Sequence, residues 1–238
     1  MKIKYAIHSC DSNPTYYEFW PLVSRVWVEL LDIEPILLFV GDEIPKEISK
    51  CQYGKVIQFT PIENIPTATQ SQFIRLWYTQ KFPGDVVITS DIDMFPLSKW
   101  YFKYQISKVE DDKFIKLSFS GAPGWNICYN VGTGNTFKEI LELDDTFENI
   151  LNKTIKEMDE KGENKWFLDE VYLTEKMNNY KGDKLIKFSR DNKGRIDRAF
   201  WSYNTGQLKL GMYIDCHSLR PYTKYKTQID KLINELLS

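Results

Sequence analysis

The stretch Val86-Val87-Ile88-Thr89-Ser90-Asp91-Ile92-Asp93 decides the fold. Its apolar, β-branched beginning predicts a buried strand over 85–90. Two aspartates follow, one residue apart. On an extended chain, residues i and i+2 project from the same face. The spacing therefore places both carboxylates side by side at a strand's carboxyl end, with Ile92 turned the other way. Adjacent like charges call for a counter-charge, and a hard divalent cation with oxygen ligands supplies one. Mg²⁺ typically keeps one or two protein carboxylates and takes substrate phosphates for the rest, so the pair points to a diphosphate-bearing substrate. The plainer alternative is a pair of strand-end aspartates capping a turn.

Working outward, Ile3 to Ser9 reads as a buried strand, broken by Asp11-Ser12-Asn13-Pro14. Residues 15–31 carry Phe19, Val23, Val26, Trp27 and Leu30 at helical spacing. Residues 35–40 and 55–59 are two further strands, and 67–81 a helix that ends before Pro83-Gly84. This alternation predicts an α/β fold, with a mixed, mostly parallel central sheet and helices on both faces. Ligands of such sheets bind outside the carboxyl ends of strands. The loop after Ser9 and the aspartate pair both lie there, so two strand ends converge on one crevice. Beyond residue 97 the pattern is less regular. Strands are expected over 114–119 and 125–129, flanking Gly121-Ala122-Pro123-Gly124, and helices over 135–143, 146–160 and 166–178. A strand over 211–216 would end at His217, and 223–237 would form an amphipathic helix. No repeat, low-complexity tract or linker divides the chain, so a single domain is expected.

Composition excludes some classes. A net charge of -2 argues against a nucleic-acid partner. Aromatic content of 15% supplies rings suited to stacking on sugars or bases, although most such rings fill a core. Cys10, Cys51, Cys128 and Cys216 are scattered without a C-x-x-C pair, as expected of buried thiols in a reducing compartment. No run approaches the roughly 20 apolar residues of a membrane span. The first residues read as a strand, not a signal peptide, so the sequon Asn152-Lys153-Thr154 is expected to stay idle.

Of the two histidines, His8 sits inside the first strand and reads as a packed core residue. His217 is followed by Ser218-Leu219-Arg220-Pro221-Tyr222. An imidazole beside an arginine at a strand end suits contact with metal and phosphate.

At these residues the chain resembles a known family. Gln72-Phe73-Ile74-Arg75-Leu76 together with Asp85 to Leu97 is similar to the arginine helix and DxD strand of GT-A (Rossmann-like) nucleotide-sugar glycosyltransferases. The pattern is that of glycogenin and the lipopolysaccharide galactosyltransferases, and of the small GT-A domain of chlorella-virus glycosyltransferases. Four more segments follow in the family's order. Ser9 to Asn13 resembles its nucleotide loop, and Tyr129-Asn130-Val131-Gly132 its asparagine-x-glycine sugar pocket. Trp166-Phe167-Leu168-Asp169-Glu170 resembles its W-F-x-D-Q segment, and His217 to Tyr222 its metal-histidine and phosphate segment. Three departures stand out: Thr133-Gly134-Asn135-Thr136 replaces apolar residues, Glu170 replaces glutamine, and His217 and Arg220 are closer in sequence than in the galactosyltransferases.

The resemblance implies transfer of a hexose from a UDP-sugar to a hydroxyl of a glycan, dependent on Mn²⁺ or Mg²⁺ and retaining anomeric configuration. Residues 1–97 would form the nucleotide-binding half and 98–238 the donor-sugar and acceptor half. Asp91, Asp93 and His217 would hold the metal. Ser9, Asp11, Asn13, Arg75, Asp91 and Arg220 would hold the nucleotide, with Lys224 as an added phosphate contact. Asn130 and Asp169 would bind donor-sugar hydroxyls, and Glu170 would face the anomeric carbon. A viral or bacterial source is implied, with the enzyme in the cytoplasm of a bacterium or of an infected host cell. Arg195 to Tyr203 mixes charge with aromatics and would face the acceptor, Trp201 stacking on a sugar or lying buried. Three alternatives stay open: an inverting transferase with Glu170 or Asp169 as base, a non-catalytic carbohydrate-binding module, and an aspartyl-nucleophile phosphatase. The last normally places its aspartates after the first strand, not the fourth.

Overall fold

A computed structural model of the chain describes residues 1–119, 124–190 and 194–238. Strand β1 (Ile3–Asp11) is buried along most of its length, as a strand covered on both faces must be. Asn13 ends the following loop by accepting the Thr15 amide, and Pro14 opens the short helix α1 (Pro14–Tyr17). Next come α2 (Trp20–Leu31), β2 (Glu34–Val40), α3 (Lys46–Ser49), β3 (Lys55–Phe59), α4 (Thr67–Tyr78) and β4 (Val86–Thr89). β1 pairs in parallel with β2 and β4, and β2 with β3. The chain steps one way from β1 to β3 and then crosses back to β4. Right-handed crossovers therefore put α2 and α4 on opposite faces. Trp20, Val23 and Trp27 of α2 are buried on one face, Phe73, Ile74 and Leu76 of α4 on the other.

The remaining elements are β5 (Met94–Pro96), β6 (Phe114–Phe119), β7 (Asn130–Thr133), α5 (Gly134–Leu141), α6 (Phe147–Lys161), α7 (Leu168–Asn179), β8 (Leu185–Arg190), β9 (Arg195–Asp197), α8 (Thr205–Lys209), β10 (Asp215–His217) and α9 (Tyr222–Leu237). Seven strands form the main sheet in the order β3-β2-β1-β4-β7-β6-β8. Among the described residues only β7 runs against its neighbours in this sheet, pairing antiparallel with β4 and β6. A small sheet, β5-β10-β9, lies beside it. This is the mixed, mostly parallel α/β architecture expected from the sequence.

Several local expectations differ. Residues 125–129 form no strand; the pairing begins at Asn130. The strand expected over 211–216 is confined to Asp215–His217, and β8 and β9 were not foreseen. Asp91 to Asp93 is a turn between β4 and β5, closed by the Met94 amide donating to the Asp91 carbonyl at 3.3 Å. The two aspartates are therefore not alternate residues of one extended strand. Gly121-Ala122-Pro123, expected between two strands, lies outside the described residues. All four thiols are free. Among the described residues no helix is long and apolar enough to cross a membrane.

Candidate active site

The carboxyl ends of β1 and β4 open into a cleft of about 390 Å³, which residues at the start of α7 and the end of β10 also line. Ser9, Asp11, Asn13, Arg75, Asp91, Asp93, Asp169, Glu170, His217 and Arg220 all line it, so the fold gathers ten of the twelve expected site residues around one space. Asn130 and Lys224 are not among them. Asn130 is fully buried, and its amide nitrogen donates to the carbonyls of Ile127 at 2.8 Å and Asn126 at 3.0 Å. Asn130 thus pins the turn that precedes β7, and its Oδ1 has no hydrogen-bond partner among the described residues.

Arg75 forms one centre of the site. Helix α4 carries it inward, where it is 5% exposed. Its Nη1 pairs with Asp91 Oδ1, and its Nη2 donates to Asp169 Oδ2 at 2.8 Å. One guanidinium thus joins the end of β4 to the first turn of α7. Burial lowers the Arg75 pKa, but the two carboxylates more than reverse this and the net shift is upward. Asp91 responds the other way: burial raises its pKa, and Arg75 brings it below the usual carboxylate range. Asp169 is displaced upward by burial, which Arg75 only partly offsets. Glu170 is also displaced upward, by burial and then by the neighbouring charges of Asp169 and Asp91.

Asp93 forms the second centre. It is 4% exposed, and three cationic or basic groups face its Oδ2. Arg198 Nη1 lies at 3.3 Å, Arg220 Nε at 3.4 Å and His217 Nε2 at 3.5 Å. The β10–β9 pairing brings Asp197 level with His217, whose Nδ1 is 3.6 Å from Asp197 Oδ2. Tyr16 of α1 supports Arg220: its ring lies 5.1 Å from the guanidinium carbon, and its hydroxyl accepts from Nη1 at 2.8 Å.

At the end of β1, Asp11 Oδ1 accepts the Asn13 amide at 3.1 Å, and Oδ2 accepts from the Thr67 hydroxyl at 2.9 Å. Asp11 thereby ties the loop to the start of α4. Ser9 Oγ is buried beside the cleft with no hydrogen-bond partner among the described residues.

Among the described residues, no three His, Cys, Asp or Glu side chains converge as a ready-made metal cage. Asp91 is drawn to Arg75, which leaves Asp93 and His217 as the adjacent donor pair. Lys224 points elsewhere, its amine 5.1 Å from the Tyr225 ring, and half-buried Trp201 packs against the core without lining the cleft. Sequence reasoning did not single out Tyr16 or Arg198. Arg198 belongs to a charged run, but only the β9–β10 pairing carries it to Asp93. Trp166 and Phe167, 52% and 49% exposed, also line the cleft. His8 is fully buried, its ring set edge-on to Trp20 and Trp27 with centroids 6.0 and 5.9 Å away. Burial lowers its pKa to about 3.

Solved structures share this architecture. The chain superposes on the apo form of the glycosyltransferase GlyE from Streptococcus pneumoniae with a TM-score of 0.56 and 13% identity, over 99% of this chain and 63% of that one. The apo bifunctional glycosyltransferase WbbM gives a TM-score of 0.54 and 9% identity, over 99% of this chain and 50% of that one. The fold is GT-A-like. The chain thus spans from half to somewhat under two thirds of the length of these structures. No family model matches the sequence, and no curated protein matches it. In a GT-A-like fold the cleft lies where a doubly wound sheet ordinarily takes its ligand, outside the carboxyl ends of the strands.

Proposed function

We propose that the chain is a glycosyltransferase that moves a hexose from a UDP-sugar to a hydroxyl of a glycan, with a divalent cation and with retention of configuration. The observation that carries this reading is the pair of coupled centres in one cleft. Arg75 fixes Asp91 and Asp169, while Asp93 and His217 sit beside two arginines in the same cleft.

The donor set suits Mn²⁺ or Mg²⁺. An Asp93 oxygen and a His217 nitrogen 3.5 Å apart are close enough to share one ion. A carboxylate, an imidazole and substrate phosphate oxygens form an accepted ligand set for such ions. Asp93 and His217 would hold the ion, with Asp91 beside it, and the bound ion would act as a Lewis acid toward the departing diphosphate. The incomplete cage has a consequence: the ion binds well only together with the diphosphate.

The remaining roles belong to the chain itself. Ser9, Asp11 and Asn13 receive the nucleoside at the carboxyl end of β1. Arg220, steadied by Tyr16, donates to phosphate as negative charge grows on the leaving group. Asp169, oriented by Arg75, accepts hydrogen bonds from donor-sugar hydroxyls. Glu170 faces the reacting carbon, and the exposed rings of Trp166 and Phe167 offer the acceptor a stacking surface.

One observation favours a second reading, inversion. The Glu170 pKa is raised by burial and by two neighbouring carboxylates, which brings it closer to the range of a general base. The test is to incubate the chain with Mn²⁺ and a panel of UDP-hexoses, follow UDP release, and read the anomeric configuration of the product by NMR. Turnover with a retained anomer is expected. An inverted product would make Glu170 the base. Sugar binding without any UDP release would leave a carbohydrate-binding module instead.

A further inference from the structure

We propose that Arg198 is a second diphosphate-binding cation and that it occupies Asp93 only until the diphosphate arrives. The inference rests on reading the cleft as a nucleoside-diphosphate site.

Two arginines meet a single atom, Asp93 Oδ2, at 3.3 Å and 3.4 Å. One carboxylate can neutralise one guanidinium. Asp197, the other acid nearby, is engaged elsewhere: its Oδ2 faces His217 and its Oδ1 accepts the Ala199 amide at 2.9 Å. That last bond caps the turn that carries Arg198. Both guanidiniums therefore crowd one carboxylate oxygen, and the cluster opens on the cleft through side chains 32% and 26% exposed.

The contacts themselves are loose. Charge-assisted N–H···O bonds are normally about 2.7–2.9 Å long, and arginine prefers a two-pronged fork on carboxylate. The same molecule shows such a fork three positions earlier. Arg195 places Nε at 3.0 Å and Nη2 at 2.9 Å on the two oxygens of buried Asp215. Arg195 is held in place by its own acid. Arg198 touches Asp93 at one point, and Arg220 approaches the same oxygen.

A diphosphate offers several oxygens and at least two charges. Both guanidiniums would gain by transferring from the crowded carboxylate oxygen to phosphate, and the transfer would leave Asp93 Oδ2 open to a cation. The exchange makes and breaks only hydrogen bonds and ion pairs. It predicts that the chain binds a diphosphate even where no divalent ion is present.

Calorimetry on the full chain tests this, with UDP and uridine as probes, in EDTA and in Mn²⁺, for the wild type, Arg198→Gln and Arg198→Lys. Thermal melts check that each variant folds. In EDTA, wild type binds UDP, and Arg198→Gln weakens that binding about 10- to 100-fold, the loss of one hydrogen bond to a charged group. Uridine affinity stays unchanged, and Arg198→Lys restores part of the UDP affinity. Equal UDP affinity in wild type and Arg198→Gln would overturn the role of Arg198 and leave the nucleotide site standing. A parallel loss of uridine and UDP binding would reduce Arg198 to a structural support. Absence of UDP binding in every condition would overturn the nucleotide site and the inference together.

Discussion

Asp91 and Asp93 stand one residue apart and are held in opposite ways. Asp91 meets a buried arginine that is itself tied to Asp169. Asp93 meets two partly exposed arginines and a histidine, all at distances above 3.2 Å. The first arrangement is a fixed joint between the two halves of the chain. The second is a set of charges that can be rearranged. A cluster centred on a buried arginine is costly to break from one side, since the remaining charges lose their compensation. A cluster whose cations are partly exposed and loosely placed contributes less stability and remains free to serve a ligand.

Arg75→Ala breaks the joint and should have the largest effect on stability. It leaves Asp91 and Asp169 without their shared counter-charge, and a loss of about 3–5 kcal/mol is expected. Urea denaturation measures it. A loss under about 1 kcal/mol would show that the joint behaves like a surface ion pair. Asp93→Ala tests the other side. Its expected cost is functional: a fall on the order of 10²–10³ in UDP-sugar turnover with Mn²⁺, the scale of losing one electrostatic stabiliser. The melting temperature should move little, and calorimetry should show that Mn²⁺ no longer enhances UDP binding. Unchanged enhancement would remove Asp93 from the metal site. Asp169→Asn sharpens the contrast within the joint. It keeps an oxygen for Arg75 and removes one charge, so a loss of about 1–3 kcal/mol is expected, smaller than for Arg75→Ala. If the two variants were equally unstable, the charge on Asp169 rather than the bridge would carry the joint.

The sequence showed the joint less clearly than the fold that carries it. Strand-helix alternation from Ile3 to Thr89 was legible because each segment has its own periodicity and β1, β2 and β4 are largely apolar. β7 was not legible. Asn130 and Gly132 are poor strand formers, and the segment is extended because β4 and β6 pair with it. Trp125 to Tyr129 has the stronger β composition, yet Asn130 pins its end as a turn. The unexpected Thr133-Gly134-Asn135-Thr136 also has a local explanation. Thr133 Oγ1 accepts the Thr136 amide at 3.2 Å and caps α5. A Cβ on Gly134 would lie 2.6 Å from the Thr79 carbonyl oxygen and closer still to that of Phe82, so the helix start fits there only as glycine. Within the site, Asp91, Asp93 and Arg75 were readable as motif residues, whereas their division into two centres depends on contacts between distant segments. Arg75 to Asp169 spans 94 positions, and Asp93 to Arg198 spans 105.

His8 shows what happens to a buried ionisable group with no full counter-charge. Arg75 keeps its proton because two carboxylates outweigh burial. His8, set between two tryptophans, is driven by burial from the ordinary 6.5 to about 3 and stays neutral in the fold. The unfolded chain takes up a proton on this ring as the pH falls below about 6.5, and the folded chain does not until about 3. The unfolded state therefore binds more protons throughout that window, and stability falls with acidification at up to about 1.4 kcal/mol per pH unit from this group. Above the upper limit His8 contributes no slope. His8→Phe keeps an aromatic ring between Trp20 and Trp27 and removes the titration. Urea denaturation of both proteins between pH 7 and pH 4 isolates the term, because the carboxylates titrate alike in each. The two stability curves should converge toward neutral pH in slope and diverge on acidification, with the variant losing less. Parallel curves across the window would mean that the His8 ring is not the neutral, proton-excluding group its burial demands.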